Sequence, residues 1–309
     1  MFRVCFLVLV FFCLSCSNEV KPKYEYIVKD KSFIESFDLK PNTGFINFSK
    51  GFTFYKHDNK DASTTPIILI HGFSVPSYIW DPTFELLSNK GYNVVSLDLF
   101  GRGFSENLDE PYTDKLFADQ VIDLMIELNI DSAKLVGLSN GGRVISKVAE
   151  LKPSLVSSLI YVASSGFRSI KESKDKSVSN EEVENFIKNN YPTISKGQLE
   201  DFKYPENHIG WDEKYEELLK YKGFAKALIS TRKNHYTMDD IHKKIQESDI
   251  PVYTIWGDSD KVVVYDEFEK RIDSLMPKRK EFFILQSGHL PHMENPEQFN
   301  EILMSYILK

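Results

Sequence analysis

A serine set between two glycines is the part of this sequence best suited to chemistry. Gly137, Ser139 and Gly141 form a G-x-S-x-G pattern, with a strand-like apolar run at 131–136 before it and helical spacing at 143–150 behind it. In a sharp turn from strand to helix, flanking glycines are needed because side chains there would collide with the backbone. The pattern predicts a nucleophilic hydroxyl lifted into a cleft, and the alternative is a glycine-rich loop without a catalytic role.

A serine nucleophile needs a general base, and that base needs a group that fixes its tautomer. Two stretches downstream can supply them. A strand-like run at 252–257 ends in Asp258-Ser259-Asp260, and a second run at 281–285 leads to His289. Asp258 and Asp260 are therefore rival candidates for the acid. The order along the chain is serine, aspartate, histidine.

Strand and helix patterns alternate along most of the chain, which predicts how these residues are positioned. Two edge strands are expected at 45–48 and 52–55. The βα alternation then comprises strands at 66–70, 92–97, 133–138 and 156–162 and helices at 77–87, 114–128 and 141–151. This order predicts a mostly parallel central sheet with helices on both faces and ligands at the carboxyl ends of the strands.

The alternation stops near residue 164 and resumes near residue 250. Between these points the pattern is helical at 180–189, 196–202 and 212–230, without an obvious central strand. The aromatic residues of this segment either line an acyl pocket or pack between helices.

The chain resembles the capped α/β-hydrolases over residues 44–309. Four motifs in order carry the resemblance: an H-G-x turn at His71-Gly72-Phe73, a D-x-x-G-x-G-x-S loop at 98–105, the elbow at Ser139, and the loops that hold Asp260 and His289. The resemblance implies an α/β-hydrolase fold, with a mobile helical cap inserted after the sixth strand of the sheet.

The resemblance also implies a role for each site residue. Ser139 would attack an acyl carbonyl, His289 would accept and return the proton, and Asp260 would orient His289. Asp260 is favoured over its rival because the acid of this family usually stands three residues after the glycine. The backbone N–H groups of Phe73 and Asn140 would form the oxyanion hole.

The remaining histidines suggest structural roles. His71 is expected to order the oxyanion turn. His292 follows His289 by three residues, which is a weak metal signal because Pro291 indicates a helix start and the H-E-x-x-H glutamate is missing. The sequence contains no phosphate loop, dinucleotide motif or Cys/His cluster, so neither a cofactor nor a metal is expected.

The three cysteines of the sequence, Cys5, Cys13 and Cys16, all lie near its start. A short basic region and an apolar run too short to span a bilayer predict an export signal at 1–16. Leu14-Ser15-Cys16 resembles a bacterial lipoprotein cleavage site, so Cys16 is the candidate lipidation site. The alternatives are an ordinary signal peptide and an uncleaved anchor.

These observations divide the chain into an export signal (1–16), a polar tether (17–43), two parts of a hydrolase core (44–163 and 249–309) and a helical cap (164–248). A net charge of −7 without a long basic run argues against nucleic-acid binding. We expect a serine hydrolase that cleaves a carboxylic ester, either a small to medium acyl ester or a lipid-derived one, in a bacterial envelope to which a lipid anchors it. A C–C hydrolase acting on ring-cleavage products and a catalytically silent binding protein are the alternatives.

Overall fold

An eight-stranded sheet forms the centre of the protein in the computed structural model, which describes residues 23–59 and 64–308. The strands are β1 (Thr43–Asn47), β2 (Phe52–Asn59), β3 (Ile67–Ile70), β4 (Asn93–Leu97), β5 (Ala133–Leu138), β6 (Val156–Val162), β7 (Val252–Gly257) and β8 (Lys280–Ile284). Their order is β1-β2-β4-β3-β5-β6-β7-β8, and only the pairs β1–β2 and β2–β4 are antiparallel. The predicted α/β architecture with a mostly parallel central sheet is therefore confirmed.

Helices cover both faces of this sheet. They are α1 (Lys31–Ser36), α2 (Asp81–Asn89), α3 (Asp114–Glu127), α4 (Asn140–Leu151), α5 (Asn180–Gly197), α6 (Trp211–Glu216), α7 (Phe224–Asn234), α8 (Asp239–Glu247), α9 (Glu269–Leu275), α10 (Pro291–Glu294) and α11 (Pro296–Ile302). One apolar core contains residues of α3, α4, α8 and α9, and the other contains residues of α2, α11 and α5 to α7. All four residues of β3 are buried, as expected for a parallel strand covered on both faces.

The strand order reverses at β3, and this reversal positions the site. The chain passes from β3 to β4 on one side and later places β5 on the other side of β3. Ile70 at the end of β3 lies opposite Gly137 in β5. The turn after β3 and the turn after β5 therefore meet in one crevice, which is where open α/β sheets bind ligands.

The segment between β6 and β7 holds α5 to α8. The sequence predicted one helix over 212–230, whereas the structure has α6, a short 3₁₀ turn (Glu217–Lys220) and then α7. The break lies at Gly223, whose φ of 91° few other residues adopt. The last helix of this segment, α8, packs in the same core as α4 through Ile241 and Ile245.

An N-terminal strap, residues 23–30, lies across this helical segment. Ile27 exchanges backbone hydrogen bonds with Lys220 and Lys222, and the Glu25 carboxylate accepts from the N–H groups of Gly223 and Ala225, all at 2.8 Å. Part of the predicted tether (17–43) is thus bound to the folded domain, because its glutamate caps the start of α7.

The predicted export signal and lipidation site at Cys16 lie outside the described residues. Within the part of the chain that the structure describes, no helix is long and apolar enough to cross a membrane.

Candidate active site

Ser139 lies in a strained turn between β5 and α4. Its backbone has φ 51° and ψ −113°, a conformation that residues other than glycine rarely adopt. A Cβ added to Gly137 would lie 2.5 Å from the backbone of Gly141, and one added to Gly141 would lie 2.5 Å from the carbonyl oxygen of Ile70. Both glycines are needed because α4 begins in direct contact with the ends of β3 and β5.

Asp260 and His289 form a buried hydrogen-bonded pair. Asp260 follows β7 and His289 follows β8, and their Oδ2 and Nδ1 atoms are 2.9 Å apart. The N–H groups of Val262 and Val263 donate to the other carboxylate oxygen, which holds Asp260 in place. Burial acts to lower the pKa of His289, but the Asp260 charge and hydrogen bond outweigh it and the pKa is raised. With Nδ1 bound to Asp260, Nε2 is left as the proton acceptor.

Asp258, the rival acid, serves a different purpose in the structure. Its carboxylate accepts from the N–H groups of Gln286 and Ser287 at 3.0 and 3.2 Å. It therefore fastens the loop after β8, while Asp260 holds the histidine, as the resemblance implies.

Ser139 and His289 line the same cavity of about 180 Å³, together with Gly72, Phe73 and Asp201. A Cβ on Gly72 would lie 3.3 Å from the Cβ of Ser139. Because Gly72 has no side chain, the turn after β3 can approach the turn that holds Ser139. Among the described residues no hydrogen bond joins Ser139 Oγ to His289. Such bonds are commonly long in ligand-free enzymes and tighten when substrate binds.

Phe73 and Asn140, the candidate oxyanion residues, lie close to Ser139. Both line a second cavity with it, and neither backbone N–H donates a hydrogen bond to another described residue. Asn140 is also the first residue of α4, where the helix end carries partial positive charge. The two N–H groups are therefore available for an anionic oxygen.

Buried polar residues fix the Phe73 turn. The ring of His71 accepts from the N–H of Leu99 at 2.9 Å and bonds to the carbonyl oxygen of Gly72 at 2.9 Å. Burial lowers the pKa of His71 to about 3, so this ring is neutral and structural, in agreement with the prediction. Arg102 Nε donates to the carbonyl oxygen of Phe73 at 2.9 Å.

Arg102 also joins this turn to the helical segment. Its guanidinium is almost fully buried, and Nη2 donates to Thr231 Oγ1 in α7 at 2.8 Å. A single cation thus contacts both the candidate oxyanion turn and a helix above the cavity.

The sequence interpretation missed Asp201. This residue ends a 3₁₀ turn (Gln198–Asp201), and its carbonyl oxygen accepts from the N–H of His289 at 2.8 Å. Burial raises the pKa of its carboxyl to about 6. No motif could have revealed it, because its position depends on how the helical segment between β6 and β7 folds onto the loop of His289.

The sequence interpretation also missed the second cavity, which we name the arginine chamber. It has a volume of about 320 Å³ and is lined by residues that include Ser139, Asn140, Arg143, Arg168, Arg232 and His235. These six residues come from three separate stretches of the chain, so no spacing rule could have grouped them.

The structure separates His292 from His289. His292 Nε2 bonds to the carbonyl oxygen of Ile79 at 3.0 Å, and its ring packs on Trp80. Over the described residues, 23–59 and 64–308, no group of three histidine, cysteine, aspartate or glutamate side chains could hold a metal ion.

Comparison with known proteins adds the family. Residues 65–296 match the family described as alpha/beta hydrolase fold. The chain belongs to this family. It is therefore a hydrolase of the alpha/beta fold, and the matched range contains Ser139, Asp260 and His289.

Individual relatives are distant but cover most of the chain. An uncharacterized hydrolase of Bacillus subtilis, YugF, is 25% identical over 268 residues, which are 82% of this chain and 93% of that protein. The pimeloyl-[acyl-carrier protein] methyl ester esterase of Legionella pneumophila (strain Lens) is 25% identical over 81% of this chain and 98% of its own. The structure of an esterase from Exiguobacterium antarcticum aligns with a TM-score of 0.71 at 20% identity, covering 86% and 99% of the two chains.

Proposed function

We propose that the protein is a serine esterase that cleaves a small-molecule carboxylic ester through an acyl-enzyme. The observation that carries this proposal is the buried Asp260–His289 pair opening into the same cavity as Ser139, which lies in a strained turn. Such a combination activates a serine hydroxyl, which is otherwise a poor nucleophile.

The first half-reaction forms the acyl-enzyme. Ser139 Oγ attacks the ester carbonyl carbon while His289 Nε2 accepts the hydroxyl proton, and the charge of the imidazolium is stabilised by Asp260. The carbonyl oxygen becomes negative and accepts from the N–H groups of Phe73 and Asn140. The tetrahedral intermediate then expels the alcohol, which leaves with the proton from His289.

The second half-reaction restores the enzyme. Water attacks the acyl carbon, His289 accepts its proton, and the carboxylic acid departs as Ser139 regains its hydrogen. Preorganised donors matter here because each is worth about 10²–10³ in rate. The ester assignment is supported by the sequence similarity to the pimeloyl-[acyl-carrier protein] methyl ester esterase over most of both chains.

A serine-directed fluorophosphonate probe tests the nucleophile. Wild type should be labelled once per molecule, Ser139→Ala should not be labelled, and Ser36→Ala on the exposed helix α1 should label like wild type. Full labelling of Ser139→Ala would end the assignment. Unlabelled wild type that binds acyl compounds would favour the silent binding protein, and turnover of a dienoate but of no ester would favour C–C cleavage.

We also propose that Cys16 carries acyl chains that hold the enzyme at a membrane of a bacterial envelope. The supporting pattern is Leu14-Ser15-Cys16 after a short apolar run. Metabolic labelling with an alkynyl palmitate and detergent partitioning should show a labelled membrane form, and Cys16→Ser should be soluble with unchanged turnover of a water-soluble ester. Unlabelled, soluble wild type would refute the anchor.

A further inference from the structure

The arginine chamber is strongly cationic although the whole chain is acidic. Three arginines from different parts of the fold line it: Arg143 from α4, Arg168 from the segment after β6, and Arg232 from α7. No aspartate or glutamate of the described chain lines the chamber. Since the net charge of the protein is −7, this concentration of positive charge beside Ser139 is a local feature.

The buried arginine of the chamber has unused hydrogen-bonding capacity. Arg143 is fully buried and binds Asp114 through Nε and Nη2 at 3.1 and 2.7 Å, but Nη1 has no partner among the described residues. A buried donor left without an acceptor costs free energy unless something else supplies the acceptor. An anionic group in the chamber would supply it.

The other two arginines have no carboxylate partner among the described residues. Neither Arg168 nor Arg232 forms an ion pair with a described carboxylate; Arg168 donates to the carbonyl oxygen of Val262, and Arg232 lies 5.5 Å from the centre of the Phe73 ring. Unpaired guanidinium groups beside a cavity are well suited to a planar carboxylate, which they bind with two parallel hydrogen bonds.

His235 also lines the chamber, and its pKa reflects its burial and the positive charge around it. Its Nε2 atom is buried without a partner in the described chain, and its ring packs edge-on against Phe73. Burial and the charges of Arg143, Arg102 and Arg232 lower the pKa of His235 to about 3. The ring is therefore neutral at physiological pH, and its environment disfavours a further cation.

We propose that the arginine chamber binds a carboxylate group of the substrate, so that the preferred ester carries a free carboxylate on a short chain. This inference rests on the proposed esterase function and specifies its substrate class. The chamber adjoins Ser139, and its volume of about 320 Å³ is at the lower end for small-molecule sites. A bound carboxylate would fix the distance between itself and the reacting carbonyl.

Pairs of esters that differ only in charge test this proposal. Monomethyl glutarate is compared with methyl 5-methylhexanoate, in which an isopropyl group replaces the carboxylate on the acyl side. The ester 4-acetoxybutanoate is compared with 4-methylpentyl acetate, which makes the same replacement on the alcohol side. Wild type should prefer the charged member of at least one pair by about 10- to 100-fold in kcat/KM.

Matched variants assign the preference to the chamber. The double variant Arg168→Gln/Arg232→Gln should lose about 10- to 100-fold in kcat/KM for the preferred charged ester, mainly through KM. Assayed at a pH at which His289 is neutral in both proteins, the double variant should keep its rate on the neutral ester. Lys226→Gln removes a cation from the same helix α7 whose partner is the exposed Asp109, and it should change neither rate. Equal losses on charged and neutral esters, or no wild-type preference in either pair, would overturn the chamber proposal while the esterase stands.

Binding of free glutarate separates the chamber from catalysis. Calorimetry with Ser139→Ala should show glutarate binding that weakens at least tenfold when Arg168 and Arg232 are also replaced by glutamine, with no binding of neutral glutaramide. Glutarate binding that is unaffected by the arginine substitutions, or absent, would refute the chamber. Failure of the serine to react with fluorophosphonate would instead refute the proposed esterase function.

Discussion

The catalytic cavity is bounded by two regions that are built in different ways. On the sheet side, Ser139, Asp260 and His289 each follow the carboxyl end of a parallel strand, in turns set by backbone contacts. On the helical side, Asp201 comes from a 3₁₀ turn between β6 and β7. The positions of residues at strand ends are fixed by the register of the sheet. The positions of residues in the segment between β6 and β7 depend on how its separate helices pack.

Polar contacts join the two regions at several points. Arg102 contacts both Phe73 and Thr231, and the N–H of Tyr112 donates to Ser230 Oγ at 3.0 Å. The N–H of His289 donates to the carbonyl oxygen of Asp201 at 2.8 Å, so the helical side reaches the oxyanion turn through Arg102 and contacts the loop of the base directly.

The largest effect should come from the acid on the sheet side. Asp260→Asn would favour the wrong tautomer of His289, and kcat should fall about 10⁴-fold, as for the equivalent change in the serine-protease triad. Asp258→Asn, two residues away, should change kcat little because that carboxylate binds the loop after β8. Steady-state kinetics on one soluble ester distinguish the two, and the reverse ranking would move the acid role to Asp258.

A buried ion pair inside the sheet side should dominate stability. Asp114 and Arg143 have side chains that are each 1% exposed. Asp114→Asn leaves the buried guanidinium without its carboxylate and should lower the free energy of unfolding by about 3–5 kcal/mol. Asp119→Asn breaks the exposed Lys115–Asp119 pair on the same helix and should cost about 0.5 kcal/mol. Urea unfolding measures both, and similar losses would show that burial does not control the difference.

Substitutions of Arg102 and of its partner Thr231 test which region holds the oxyanion turn in place. Arg102→Gln releases the carbonyl oxygen of Phe73, and we expect kcat to fall about 10²-fold because one oxyanion donor is misplaced. Thr231→Val removes only the contact with α7 and should reduce kcat less than tenfold. Circular dichroism confirms that both variants are folded. A larger loss in Thr231→Val would mean that the helical region positions the turn.

The smallest effect concerns pH. Because the pKa of His289 is raised, kcat/KM should rise with pH through a midpoint above 6.5, where the imidazole becomes neutral and can accept a proton. The charges facing this ring are Asp260, Asp201 and Arg168. Asp201→Asn removes a negative charge that stabilises the imidazolium, so the rising limb should move to lower pH. A shift to higher pH, or none, would show that Asp201 does not act on His289 through its charge.

The same division explains what could be predicted from the sequence. Strand-end motifs indicated the fold class and the pairing of Asp260 with His289, because short turns at the ends of parallel strands impose strict residue requirements. The helix predicted over 212–230 is interrupted, since Glu25, almost 200 residues earlier, caps α7 after Gly223. Asp201 and the arginine chamber carry no local signal because distant segments assemble them.

The contacts of the N-terminal strap determine which part of the protein unfolds first when the chain is pulled from this end. Glu25 accepts from Tyr191 Oη at 2.6 Å as well as from Gly223 and Ala225, so the first part of the strap is fastened to helices above the cavity. Lys29, nearer its end, donates to the carbonyl oxygen of Gly103 in the loop after β4 at 3.0 Å. Force applied at residue 23 would therefore act on the helices above the cavity, α5 and α7, before it acts on the strands that precede Ser139 and His289. In single-molecule stretching from that end, we expect an early low-force step that Glu25→Gln abolishes, followed by rupture of the sheet at higher force.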